Sequence, residues 1–134
     1  MDLMPPITDN VTEVLHKIIE FTRRREKVLY QNITNVRTTG FVPRDLAVDE
    51  FSVLLNEAVD EHIQNRRLVL RDTQNVKFGE EGTFELAPIV DCNGGELIDE
   101  DQDQYLEVQI NKLLENSLNQ RVATQLLRQR RQVI

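Results

Sequence analysis

From Asp99 to Gln132 the chain runs without a single glycine or proline, and carboxylates cluster at the start of the run, where a helix dipole favours them. About thirty helical residues at 1.5 Å each make a rod of ~45 Å. No small monomer buries one whole face of such a rod. Its apolar residues also change direction along its length. Leu106, Ile110, Leu113 and Leu114 share one side, whereas Val122, Ala123, Leu126 and Leu127 spread round the cylinder. The distal half of a C-terminal helix over 99–132 therefore expects more than one neighbour.

A second strong period lies at the other end. Val11, Val14, Leu15, Ile18, Phe21, Val28 and Leu29 recur at three- and four-residue steps and predict an N-terminal helix over 9–35. Pro5-Pro6 and then Thr8, Asp9 or Asn10 mark its start, with Glu13 three residues after Asn10 in a capping-box spacing. Asn32, Asn35 and the Thr38-Thr39-Gly40 turn mark its end. Arg23, Arg24, Arg25 and Lys27 fall in its C-terminal half, where positive charge complements the dipole, and read as helix surface. The two helices are expected to pair through Val14, Leu15, Ile18, Phe21 and Leu29 against Ile110, Leu113, Leu118 and Val122. With no Trp, two Tyr and five Phe, the apolar area is expected from Leu, Ile and Val.

Between the helices, residues 36–98 read as a connector. Pro43 holds Val42 extended. A shorter helix is predicted over 49–64, with Phe51, Leu54, Leu55, Ala58, Val59 and His62 on one side. Leu68-Val69-Leu70 and Thr83-Phe84-Glu85-Leu86, separated by Gly79 and Gly82, suggest a small hairpin within 68–86. Asp91-Cys92-Asn93-Gly94-Gly95 reads as a turn-rich loop. The expected fold is mainly α: one domain over 1–134, whose long terminal helices pair as a coiled-coil-like hairpin around an irregular middle with a short helix and a small β-hairpin.

The net charge of −7 is unevenly spread. Residues 1–48 carry seven basic and six acidic groups, residues 49–110 four and sixteen, and residues 111–134 five and one. An acidic middle thus separates neutral-to-basic ends, and the charge argues against nucleic acid as the main partner. Only Phe21 and Tyr30 lie near the arginine cluster, too few for stacked-base recognition. Chemistry is sparse. His16 and His62 stand in no ligand-spaced motif, Cys92 has no neighbouring base, and Gly94-Gly95 lacks the lysine and hydroxyl of a phosphate loop. The carboxylates from Asp99 to Asp103 alternate as in a calcium loop, but Gln104 and Ile110 occupy its glycine and bidentate-glutamate positions. No enzyme, metal, cofactor or small-molecule substrate is expected. Met1-Asp2-Leu3-Met4-Pro5-Pro6 has neither the basic region nor the apolar run of a cleaved secretory signal, so a chain that leaves the cytoplasm is expected to use another route.

Two segments resemble the flagellar rod, hook and hook-associated proteins. Tyr30 to Phe41 is similar to the Asn-Ile-Ala-Asn…Thr-Pro-Gly-Tyr motif that ends their first helix, with Asn32, Ile33, Asn35, Thr38 and Gly40 in register. Thr39 stands where the motif has proline. The continuation Val42-Pro43-Arg44-Asp45-Leu46 resembles the proximal rod branch of the basal body. Lys112-Leu113-Leu114-Glu115-Asn116-Ser117-Leu118 and Gln125-Leu126-Leu127 are similar to that branch's C-terminal run. The resemblance implies a structural rod subunit, exported through the flagellar export apparatus without a cleaved signal peptide. It would lie in the periplasm-spanning rod against other rod subunits, the rod-to-membrane-ring adaptor and the membrane ring. It places Asn32, Asn35, Gly40, Asn116 and Leu126 beside the pairing residues as assembly positions. An acidic helical adaptor or chaperone-like binding module of a secretion system is the alternative expectation.

Overall fold

A computed structural model describes residues 9–79 and 83–132. In chain order it forms α1 (Asn10–Thr34), β1 (Arg44–Asp45), α2 (Val48–Asn65), β2 (Val76–Lys77), β3 (Glu85–Leu86), β4 (Ile89–Val90), α3 (Cys92–Glu100) and α4 (Gln102–Gln132). The chain is mainly helical, its long first and last helices pack together, and short antiparallel strands lie between them. Asp9 is the cap of α1, accepting from the Thr12 amide at 2.7 Å, so Glu13 falls one position beyond a capping box. Asn10 is already helical, and its Nδ2 reaches His62 Nδ1 on α2 at 2.9 Å. At the far end Asn35 caps with both its backbone and side-chain N–H on Gln31 O, and Gly40 takes the turn at φ +77°. Pro5, Pro6, Thr8 and Gly82 lie outside the described residues.

α1 is central to the packing. On one side it meets α2 and the β2–β3 hairpin in a core of Phe21, Leu46, Ala47, Phe51, Leu54, Val76, Phe78 and Phe84. The Phe21 and Phe51 rings stack at 4.0 Å and the Phe78 and Phe84 rings at 5.2 Å, while Lys17 and Arg24 lie over Phe84. The expectation that Leu, Ile and Val carry the burial holds for the described residues as a whole, where they make up half of the buried hydrophobic residues, but not for this core. Phenylalanine dominates this core, because a ring removes more area from water per ordered residue than an aliphatic side chain does. The hairpin is present, but its first strand is Val76–Lys77 and not Leu68–Leu70. Val76 faces Leu86, and buried Val76 and Phe78 alternate onto the core, whereas Leu68, Val69 and Leu70 are only half-buried.

Two features of the middle run against the loop expected there. β1 and β4 form a second antiparallel pair, Arg44 opposite Val90 and Asp45 opposite Ile89. The stretch from Asp91 to Gly95 is the capped start of α3, with Asp91 accepting from the Gly94 amide at 2.9 Å. Gly94 serves close approach and not a turn: a Cβ there would stand 2.5 Å from Asp91 Oδ2 and 3.3 Å from Gln109 Nε2. Asp101, extended at φ −154° and ψ 93°, ends α3 and caps α4 by accepting from the Gln104 amide at 3.1 Å. The carboxylate-rich start of the last helix is therefore an elbow between two helices.

Candidate assembly interface

α1 and α4 run antiparallel in one continuous register. Arg130 pairs with Asp9 at one end, and Leu15 and Ile19 pack on Ala123 and Leu127. Asn116 Nδ2 then donates to Thr22 O at 2.8 Å. At the other end Asn32 Nδ2 donates to Gln109 Oε1 at 2.9 Å, and the Tyr105 hydroxyl to Asn32 O at 2.8 Å. The buried positions of α4 are thus Tyr105, Gln109, Asn116, Ala123 and Leu127, not the expected Ile110, Leu118 and Val122, which are 44%, 60% and 49% exposed. Helix geometry gives the reason. Ile110, Leu114, Leu118, Val122 and Leu126 recur every four residues, and each such step overshoots a turn by about 40°, so the ridge walks round the outer side of the helix and cannot stay on the face that α1 covers. Steps of four and seven keep Tyr105, Gln109, Asn116, Ala123 and Leu127 in line.

The end of this seam away from Asp9 and Arg130 is polar. Asn32 holds β1 as well as Gln109: its Nδ2 donates to Arg44 O at 2.7 Å and its Oδ1 accepts from the Arg44 amide at 3.1 Å. Arg25, expected on the surface, is buried and bidentate to Asp45 at 2.9 and 3.0 Å. Lys112 bridges Asp45 at 3.6 Å and Asp91 at 3.1 Å, and Gln109 Nε2 donates to Asp91 Oδ2 at 3.3 Å. Desolvation alone would push the Asp91 carboxyl up, but the Gly94 amide and the Lys112 ammonium outweigh it and hold that carboxyl below the usual range. Burial, aided by the Asp91 charge, pushes the Tyr105 hydroxyl up to about 12. Such a network joins α1, β1, α3 and α4 at one level and allows one axial register, because a slip of one turn would strand its buried donors.

The expected assembly residues therefore divide. Leu15, Phe21, Leu29, Asn32 and Asn116 are buried inside the chain; Val14, Ile18, Asn35 and Leu113 are half-buried; Gly40, Ile110, Leu118, Val122 and Leu126 are exposed. Tyr105, Gln109, Arg25, Asp45, Asp91 and Lys112 carry the seam without having been singled out. For Gln109 the sequence signal is the seven-residue step to Asn116, a polar repeat that an apolar-period search passes over, and for Asp45 and Lys112 it is their place in the two resembling segments.

What remains on the outside is the ridge on α4 and a groove beside it. The groove has a volume of about 390 Å³, with Leu15, Ile18 and Phe21 of α1 as floor, Leu118, Val122 and Leu126 of α4 as one wall, and Val48, Ser52 and Leu55 of α2 as the other. Among the described residues, no group of His, Cys, Asp and Glu is arranged to hold a metal ion, and no helix is long and apolar enough to cross a membrane. The chain matches no protein-family model, no curated protein and no solved structure.

Proposed function

We propose that this chain is a structural subunit of the flagellar basal-body rod, assembling with copies of itself and with other rod proteins into a tube. The observation that carries this reading is the division of labour on α4. One face is occupied by α1, and a second apolar ridge of five side chains, Ile110, Leu114, Leu118, Val122 and Leu126, is left bare. A bare ridge of that length on a helix of ~46 Å suits a subunit completed by neighbours. The resemblance of residues 30–41 and 112–127 to rod proteins names the assembly, and two of its positions, Asn32 and Asn116, are the buried amides that fix the helix pair. By the same reading the partners are other rod subunits, the membrane ring and its adaptor, reached through the export apparatus.

Two measurements test this. A tagged chain expressed in a flagellated host is expected to co-purify with basal bodies. In a sedimentation series the pure chain is expected to grow with concentration without stopping at a fixed number of copies. Arrest at one defined small complex belongs to the adaptor alternative and would remove the rod reading.

A further inference from the structure

Resting on the self-assembly reading, the geometry points to one contact in particular: the outer face of α2 from a second copy of this chain docks on the α4 ridge at the mouth of the groove. Three observations converge on it. The first is shape. On α2, Val59 and Ile63 are one turn apart and 40% and 64% exposed, and on α4 Leu114, Leu118 and Val122 are 63%, 60% and 49% exposed at the same four-residue step. Two such ridges interdigitate in the commonest helix–helix packing, crossing at about −50°.

The second observation is charge, and it selects a second copy over an unrelated helix. α2 carries Asp49, Glu50, Glu57, Asp60 and Glu61 and no lysine or arginine. From Ser117 to Gln132, α4 carries Arg121, Arg128, Arg130 and Arg131 and no carboxylate. Arg121 and Arg128 are seven residues apart and flank the ridge on one side; Asp60 flanks Val59 and Ile63. The third is that these charges are in no close ion pair within the described chain, although Arg71 lines the same cleft as Glu57 and Asp60. Arg121, Arg128, Glu57 and Asp60 are exposed and form no ion pair among the described residues, whereas Arg130 is engaged by Asp9 and Glu61 by Arg67. The chain thus carries both halves of a complementary surface on two helices that do not close on each other. That contact is heterologous, so it repeats from copy to copy without saturating.

Charge reversal on each half gives the test. Arg121→Glu with Arg128→Glu makes one variant, and Glu57→Lys with Asp60→Lys the other. All four sites are exposed, and circular dichroism is expected to show parental helicity. Each variant alone should need about tenfold more protein to associate, since exposed charge pairs are worth ~0.2–1 kcal/mol and here turn repulsive. Mixed at equal amounts, the two variants should co-assemble at the parental concentration with strict alternation, seen as a one-to-one ratio in the pelleted material. Association of either variant alone at the parental concentration, or failure of the mixture to recover, overturns the α2–α4 contact while leaving self-assembly standing. A parental chain that stays monomeric at every concentration overturns both, and assigns the ridge to a different protein.

Discussion

The two interior regions that share α1 are built from opposite materials. Its α2 and hairpin side is a phenylalanine core with stacked rings; its α4 side is a seam whose end away from Asp9 and Arg130 is asparagine, glutamine, tyrosine and a relay of four charged groups. Apolar burial is strong and has no direction, so a core of rings tolerates small rotations of its elements. Buried amides contribute less net energy but have fixed geometry, and an unmet donor is costly. The aromatic side therefore supplies most of the stability, and the polar side specifies how far α4 slides along α1. A subunit that must repeat with one axial spacing needs the second property as much as the first.

The largest way to break that contrast is Phe51→Ala. Phe51 is 4% exposed and contacts Phe21, Phe78 and Phe84, so a loss of about 3–5 kcal/mol is expected from urea unfolding of dilute protein. A loss below about 1 kcal/mol would mean that the helix seam, and not the rings, holds the fold. Next comes Asn32→Ala. It leaves the Arg44 amide and carbonyl and the Gln109 side chain without their partner, an expected cost of about 2–3 kcal/mol. Hydrogen exchange should then quicken at the Asn32–Gln109 level while the amides of α2 keep their protection.

Titration sharpens the same contrast, because Tyr105 and Asp91 sit in the polar seam. Tyr105 has its folded pKa raised to about 12, above an unfolded value near ~10, so its contribution is complete below pH ~10 and is lost as pH rises through 12. A fall on the order of 2 kcal/mol across that window is expected, and Tyr105→Phe should flatten it. Asp91 and Asp9 are shifted the other way. For Asp91 the Gly94 amide and Lys112 outweigh desolvation, and for Asp9 the Thr12 amide leads. Their contribution is present above the unfolded carboxylate pKa near ~4 and is lost as pH falls through their lower folded values, so acid should loosen the seam. The smallest effect belongs to Leu118→Gln. Its side chain lies outside both interiors, and the stability of dilute protein should stay within about 0.5 kcal/mol of the parent while association at high concentration weakens.

Each region was legible to a different degree. The long helices and α2 were readable, because apolar period and the absence of breakers act locally and the caps Asp9 and Asn35 lie within the window that predicts them. The partner face of α4 was not. Its visible stripe, Ile110 to Leu126, is the face that α1 leaves bare, and its packed face hides in polar residues whose burial depends on groups far along the chain, such as Gln109 on Asn32 and Asp91. For the same reason Arg25 passed as a surface cation: nothing near it in sequence reveals Asp45 waiting across β1. Gly94 and Gly95 read as a turn because glycine is usually needed for backbone freedom. At Gly94 it is needed for space, because the Asp91 carboxylate folds back to 2.5 Å from where a Cβ would stand, with Gln109 Nε2 behind it at 3.3 Å.

The antiparallel register has a mechanical consequence. The start of α1 and the end of α4 meet at one pole, joined by Asp9 and Arg130, while the Asn32–Tyr105 level lies at the other. Force that separates the two helices at the first pole would peel the pair rung by rung: the ion pair first, then the Leu15–Leu127 layer, then Asn116, each yielding alone. Force directed along the long axis, pulling α1 against α4, must instead shear every rung together, with the buried amides among them. The same contacts therefore make the subunit soft to peeling and stiff to axial shear. A neighbour seated over that first pole would close off the soft mode and leave the stiff one.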